Sequence, residues 1–350
     1  MRIACLLRTG FYYGAENMTV IAAKHLSERH DVWYCSPEGV INEYLEAAGI
    51  AHEPIDKVSI RSVRYLKKKL NPDIFLVIDN KASMTCAIAG VPFVSYQHNN
   101  WPFQRSFNLY SLGMLFYCLR AKMTIGVTDA IIDEFRFSKY IRDKYVTIIN
   151  VVDLSHLIEL AGKVPAEKTY DLCYLGRLTH QKHPELFVNV LKRVVDSRPD
   201  ATAVIIGSGE LTDGVKELAA QLGVLEKITF TGFLTNPFEV VSQSKMLVMT
   251  SRYEGFCLAA FEAMCLGLPV IASRVPVLDE NIDDSCGALC DDEEDFSAAI
   301  LEILENDELY NEKSRGAEER ARVFGDVERY VAEMEKVLLD AVGMKAEEGA

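Results

Sequence analysis

The chain has 350 residues, 49% hydrophobic and 25% charged, with a formal net charge of −14. That length exceeds what one hydrophobic core usually serves, and the composition is globular, which excludes a disordered or fibrous chain. No apolar run approaches the eighteen residues of a spanning helix, and nine cysteines without paired spacing argue against a disulfide framework.

The charge is uneven. Residues 1–155 carry 18 Lys/Arg against 15 Asp/Glu, and the remainder 19 against 36. The acidic half should avoid nucleic acid and anionic membrane, whereas the first half is free of that constraint. MRIACLLRTG lacks the long apolar region of a signal peptide, so a cytoplasmic protein is expected.

In chain order the predicted strands are IACLL, DVWYC, IFLVI, PFVSY, MTIGV and VTIIN, then DLCYLG, ATAVIIG, KITFTG, MLVMT and LPVIAS. Helices are predicted over Glu16–Ser27, Pro184–Val195, Leu211–Gln221, Phe238–Ser244, Leu258–Leu266, Phe296–Asn306 and Val327–Val342. Apolar strands alternating with helices mean parallel sheets covered on both faces. The expected fold class is α/β, with two Rossmann-like doubly wound domains of five or six strands each. The domains are predicted at 1–155 and 156–325, joined near Asn150–Lys168 by the polar AGKVPAEKT. Residues 326–350 form a C-terminal helix and a frayed tail, KAEEGA. The acidic DDEED (Asp291–Asp295) is expected to be a solvated loop.

Ligands of doubly wound sheets lie beyond the carboxyl ends of the strands, so two such domains facing each other predict a site in the cleft between them. The first strand ends in RTGFYYGAEN, where Tyr13, Gly14 and Asn17 belong to a loop expected to line that cleft. KVSIRSVRYLKKKL (Lys57–Leu70) holds six basic residues and no acid, and its apolar positions fall only loosely on one helical face. His98 ends the strand in PFVSYQHNNWPFQ, where structural and catalytic roles are both open. FQRSFNLYSLGMLFYCLRAK is aromatic and basic. These two segments fit either peripheral contact with anionic lipid or an ordinary solvated helix beside a buried one.

In the second half, Arg177 and Lys182 share a strand-to-helix loop, with Pro184 suited to the first helical turn. They form an anion site or remain two surface cations. His180 and His183 have no third ligand nearby and read as loop histidines, so no metal is expected. Gly207-Ser208-Gly209 allows close backbone approach to a ligand. Gly232 and Phe233 end a strand where a nucleobase could rest, although Phe233 also fits a core. In SRYEGFCLAAFEAMCLGLPVIAS, Gly255, Phe256, Cys257 and Leu258 form a loop and first turn whose N–H groups suit a diphosphate. Glu254 and Glu262 would repel that diphosphate, so they are expected to accept hydrogen bonds from hydroxyls instead.

LGRLTHQK, IIGSGE, FTGF and EGFCLAAFEAM together resemble the family 4 retaining GT-B glycosyltransferases, whose E-x7-E motif matches Glu254 and Glu262. YYGAEN resembles the family's glycine-rich loop, and INVVD (Asn150, Asp153) its hinge-proximal motif. The resemblance implies a GT-B fold whose C-terminal helix returns to the N-terminal domain. It also implies a metal-independent hexosyltransferase using a nucleotide-diphosphate sugar, expected to be a UDP-sugar, with no cofactor. Arg177 and Lys182 would neutralise the diphosphate and Glu254 would bind the donor sugar. Glu262 would bind the ribose diol, Gly232–Phe233 would meet the base, and His98 would sit by the reacting sugar. The implied acceptor is a glycan or lipid-linked glycan of a surface polysaccharide, reached from the cytoplasm or the inner membrane face. Alternatives are a non-catalytic nucleotide-sugar-binding partner or a sugar-nucleotide epimerase. Cys257 replaces the motif's second glycine, and Tyr13 a glycine of the first loop.

Overall fold

A computed structural model describes residues 1–162 and 168–344. Part of the predicted linker, 163–167, and the tail 345–350 lie outside the described residues. The chain forms two compact units. One holds Met1–Val151 and the chain from Val327 onward; the other is Val152–Asp326.

The first unit opens with β1 (Arg2–Leu6), α1 (Gly14–Leu26), β2 (Asp31–Ser36), α2 (Ile41–Ala47) and β3 (Ala51–Pro54). It continues through α3 (Ile60–Leu70), β4 (Ile74–Ile78), α4 (Asn80–Ala89), β5 (Phe93–Gln97) and α5 (Leu109–Arg120). β6 (Met123–Gly126), α6 (Ala130–Asp133) and β7 (Tyr145–Thr147) complete its sheet, ordered β3-β2-β1-β4-β5-β6-β7 and parallel throughout.

The second unit runs α7 (Leu154–Ala161), β8 (Tyr170–Leu175), α8 (Pro184–Ser197), β9 (Ala203–Ile206), α9 (Thr212–Gln221) and β10 (Ile228–Gly232). Next come α10 (Phe238–Ser242), β11 (Ser244–Met249), α11 (Leu258–Cys265), β12 (Val270–Ser273), α12 (Pro276–Asp279) and β13 (Gly287–Cys290). α13 (Glu293–Glu305) and α14 (Asp307–Ala321) close it, and its parallel sheet is ordered β10-β9-β8-β11-β12-β13. Finally α15 (Val327–Val342) packs on α1, β4 and β5 of the first unit.

The strands are apolar because both faces of each sheet are covered; every residue of β4 and β5 is buried. In the second unit Leu172, Leu191, Ile205, Val248 and Phe296 meet in one core. The sheets have seven and six strands, two more than expected. β3 and β13 were missed because each is a four-residue edge strand, paired on one side only. Two other expectations are corrected. DDEED is not a loop: Asp292 caps α13 through the Glu294 and Asp295 N–H groups, and the acids that follow suit the helix's positive end. α3 is a well-formed amphipathic helix, with Val63, Leu66 and Leu70 buried along one face and a Ser59–Ser62 capping box at its start.

Candidate functional site

Each sheet reverses strand order once, and in doubly wound sheets ligands bind beyond the strand ends at that reversal. In the second unit the reversal lies between β8 and β11, the strands that precede Lys182 and Glu254. Their two loops are joined by backbone and side-chain bonds. Thr250 Oγ1 donates to the Lys182 and His183 carbonyls at 3.0 and 2.9 Å. Gln181 Nε2 donates to the Tyr253 carbonyl at 3.1 Å, and Arg252 N to the Gln181 carbonyl at 2.9 Å. Across this junction Lys182 Nζ donates to Glu254 Oε1 at 2.6 Å. Glu254 is therefore a buried partner of a cation rather than an exposed acid.

Burial by itself pulls the Lys182 ammonium down, but the Glu254 charge and hydrogen bond help to outweigh it, and the net shift is upward. Arg177 is exposed on the same loop, and its guanidinium repels the Lys182 charge. Glu262, on the fifth residue of α11, is buried, and desolvation pushes its carboxyl up to about 7 against the opposing pull of Lys182. Two cations and two carboxylates thus meet at the end of β8 and β11.

Cys257 is the residue before α11 and holds φ +65° and ψ +53°, a left-handed conformation that favours glycine. Its side chain is buried and carries a thiol, raised by burial. Gly255 and Phe256 are buried too. The Phe256 ring packs on Phe261 and Phe324 at 4.6 and 5.6 Å, so only its backbone can face a ligand. Leu258 opens α11.

The neighbouring loops hold the remaining predicted residues. Gly207 and Gly209 were expected from sequence to allow close backbone approach to a ligand, and the structure gives them a packing role as well. A Cβ at Gly207 would collide with the Gly176 carbonyl, and one at Gly209 with that of Leu178. They let the loop after β9 lie flat on the loop after β8, where the exposed Ser208 accepts from Leu178 N at 3.1 Å. Gly232 has φ +69° and accepts from Gly207 N at 2.8 Å. Phe233 is 42% exposed, which excludes the core reading.

In the first unit the reversal lies between β1 and β4. There Arg8 Nη1 meets Asp79 Oδ2 at 3.2 Å, and Thr9 Oγ1 donates to the buried Glu16 at 3.1 Å. Tyr13 is partly exposed beside Phe11, Gly14 starts α1, and Asn17 Oδ1 accepts from Tyr12 OH at 2.8 Å. His98 follows β5, its ring centroid 4.0 Å from that of Tyr96. Its Nε2 is buried without a hydrogen-bond partner among the described residues, and burial pushes the imidazole down to about 3. The ring is therefore neutral at ordinary pH. Asn150 accepts from Tyr96 OH at 3.0 Å, and Asp153 caps α7.

Sequence reading missed Thr250 and Gln181, which join the two loops. It also missed Thr179 and Ser251, whose buried hydroxyls have no hydrogen-bond partner among the described residues. The sole signal was their adjacency to Lys182 and Glu254. Among the described residues no group of three or more His, Cys, Asp or Glu could hold a metal.

The family model for glycosyl transferases group 1 matches residues 159–320, and that for glycosyltransferase family 4 matches residues 12–156. The chain belongs to the group 1 GT-B glycosyltransferases. This glycosyltransferase is 28% identical over 244 residues to an uncharacterised glycosyltransferase of Methanocaldococcus jannaschii, covering 67% of this chain and 57% of that one. It is 25% identical over 256 residues to the N-acetylgalactosamine-N,N'-diacetylbacillosaminyl-diphospho-undecaprenol 4-alpha-N-acetylgalactosaminyltransferase of Campylobacter jejuni, covering 71% and 67%. A second Methanocaldococcus glycosyltransferase is matched over only 29% of its length. Anabaena HepE, solved with UDP-glucose, superposes with a TM-score of 0.83 at 19% identity, covering 97% of this glycosyltransferase and 99% of that chain. The sucrose-phosphate synthase of Thermosynechococcus elongatus superposes with a TM-score of 0.76 at 17% identity, covering 97% and 99%.

Proposed function

We propose that this glycosyltransferase is a metal-independent, retaining hexosyltransferase that moves a sugar from a UDP-sugar to a glycan or lipid-linked glycan acceptor of a surface polysaccharide. The observation that carries this reading is the part-buried Lys182–Glu254 pair beside Arg177, Glu262 and the start of α11. Arg177 and Lys182 supply the positive charge that a departing diphosphate needs. First-turn N–H groups after Cys257 add to it without introducing a further side-chain charge. Glu254 keeps Lys182 charged and aimed, with its second oxygen left for a donor-sugar hydroxyl. Glu262 accepts from the ribose diol, Gly232 and Phe233 border the base, and neutral His98 meets the sugar as a hydrogen-bonding group. HepE has been solved with UDP and with UDP-glucose, and the Campylobacter relative is named for an undecaprenol-linked acceptor, which supports the substrate classes.

Isothermal calorimetry against UDP-glucose, UDP-N-acetylglucosamine, UDP-galactose, GDP-mannose and ADP-glucose tests the donor class. A UDP-sugar should bind and be slowly hydrolysed with the α-anomer released. Binding of none of the five would sink the reading, and tighter binding of GDP-mannose would replace the nucleotide.

A further inference from the structure

The helices on the first unit's sheet form two layers of opposite charge. The chain steps from β1 to β3 in one direction and from β3 to β6 in the other. Right-handed crossovers therefore put α1 and α2 on one face and α3, α4 and α5 on the other. Packing agrees: α3 lies against α4 and α4 against α5, while α15 joins α1. The α1–α2–α15 layer carries seven acidic and three basic residues. The α3–α4–α5 layer carries seven basic residues and no acid, in a chain whose net charge is −14.

α5 adds a second, independent feature. It is apolar on opposite sides. Met114, Tyr117 and Cys118 face the core, whereas Leu109, Leu112, Phe116 and Leu119 recur three or four residues apart on the other side. Those four are 85, 36, 43 and 47% exposed, and Phe107 and Tyr110 beside them are more than 70% exposed. A helix apolar on both sides belongs in a core or at a lipid surface, and a contiguous exposed patch marks an interface. Arg120 ends the stripe, its guanidinium 6.0 Å from the Phe116 ring centre. Arg61, Arg64, Lys68 and Lys69 are exposed on α3.

We propose that the α3–α4–α5 layer is a docking face for an anionic lipid bilayer. The α5 stripe enters the boundary between headgroups and acyl chains, and α3 lies on the headgroups. Leucine and aromatic residues supply the inserted area, and each Lys/Arg near an anionic surface adds attraction. The absence of any acid across three adjacent helices fits a uniformly negative surface better than a protein partner, which would present charges of both signs. No helix among the described residues is long and apolar enough to cross a membrane, so the contact is interfacial.

Sedimentation of the full chain with vesicles tests this. Vesicles of phosphatidylcholine mixed with phosphatidylglycerol should carry the protein down at low salt and release it as salt rises. Pure phosphatidylcholine should not. Leu109→Glu with Phe116→Glu should abolish binding, and Arg64→Glu with Lys68→Glu should weaken it by more than about thirtyfold, both with unchanged melting temperature. If the first variant is unstable, the second decides alone, because its residues are exposed and uninvolved in the core. Failure of the wild type to pellet with anionic vesicles at low salt overturns the proposal. So does wild-type binding by both variants. A concentration-dependent dimer without vesicle binding, dissolved by Leu109→Glu with Phe116→Glu, would reassign the face to a second copy.

Discussion

Lys182 and Glu254 lie 72 residues apart in the chain and form one part-buried unit, with Nζ donating to Oε1 at 2.6 Å. The cation and the carboxylate hold each other in place. Each therefore depends on the other for direction, and Lys182 depends on Glu254 for its charge.

Lys182→Ala leaves the Glu254 carboxylate buried and unpaired, which should cost about 3 kcal/mol in denaturant unfolding. Transfer should fall at least a hundredfold, on the order of the loss of one fixed charge-stabilising group. Lys182→Ala combined with Glu254→Gln should recover stability but not rate. Activity of Lys182→Ala within a few-fold of wild type would contradict the phosphate role.

Glu262 has a folded-state pKa of about 7 against a reference of 4.5. A raised acid pKa means the proton is bound more tightly in the folded chain. Its contribution to stability is then fully present below pH 4.5 and is lost as pH climbs through 7, to a limit of roughly 3 kcal/mol. Glu262→Gln should flatten that slope in urea melts between pH 5 and 8, and should weaken UDP-sugar binding most at the alkaline end. An unaltered slope removes the assignment.

Gly207→Ala forces its Cβ onto the Gly176 carbonyl, so the loops after β8 and β9 must part. Gly232→Ala meets open space and pays only for φ +69°, about 1 kcal/mol. Gly207→Ala should therefore lower both melting temperature and donor affinity more than Gly232→Ala does. The reverse order would show that the loop contact is dispensable.

Cys257 has a β-carbon at a left-handed position. Cys257→Ala keeps that strain and loses the buried sulfur, whereas Cys257→Gly relieves about 1 kcal/mol of it. The glycine variant should melt no lower than the alanine one and should change KM across donor sugars more than kcat. Identical donor preference in all three proteins would free Cys257 from any selective role.

His98 is pushed down to about 3 by burial. The folded chain then refuses a proton that the unfolded chain accepts below about 6.5, so its contribution to stability is lost as pH falls from there. NMR titration of the ring should show no protonation between pH 5 and 8. A limb near 6.5 in the rate profile that vanishes in His98→Gln would show a charged ring at work.

Much of the fold was legible because a doubly covered parallel sheet demands apolar strands, and IFLVI and PFVSY announce themselves. AHEP in β3 is polar and bonded on one side, so it carries no such signal. Glu254 and Glu262 stood out as acids in an apolar stretch. The pairing of Lys182 with Glu254 did not, because the two meet only once β8 and β11 become neighbours. Glycines at 207 and 209 were visible as letters, but the loop carbonyls they accommodate, those of Gly176 and Leu178, were not. The positive φ of Cys257 leaves no trace in spacing.

The chain leaves the first unit at Val151 and returns at Val327, and Val152 N donates to the Phe324 carbonyl at 2.8 Å. The second unit is thus an insert whose two ends touch. Emerging from a ribosome, the first 151 residues must wait for the whole insert before α15 arrives. Only then does Tyr330 close the buried hydroxyl contacts to Tyr96 and the Met18 carbonyl. The second unit needs nothing that follows Asp326, so it completes its fold first, and any truncation that removes α15 spares it while exposing the underside of β4 and β5.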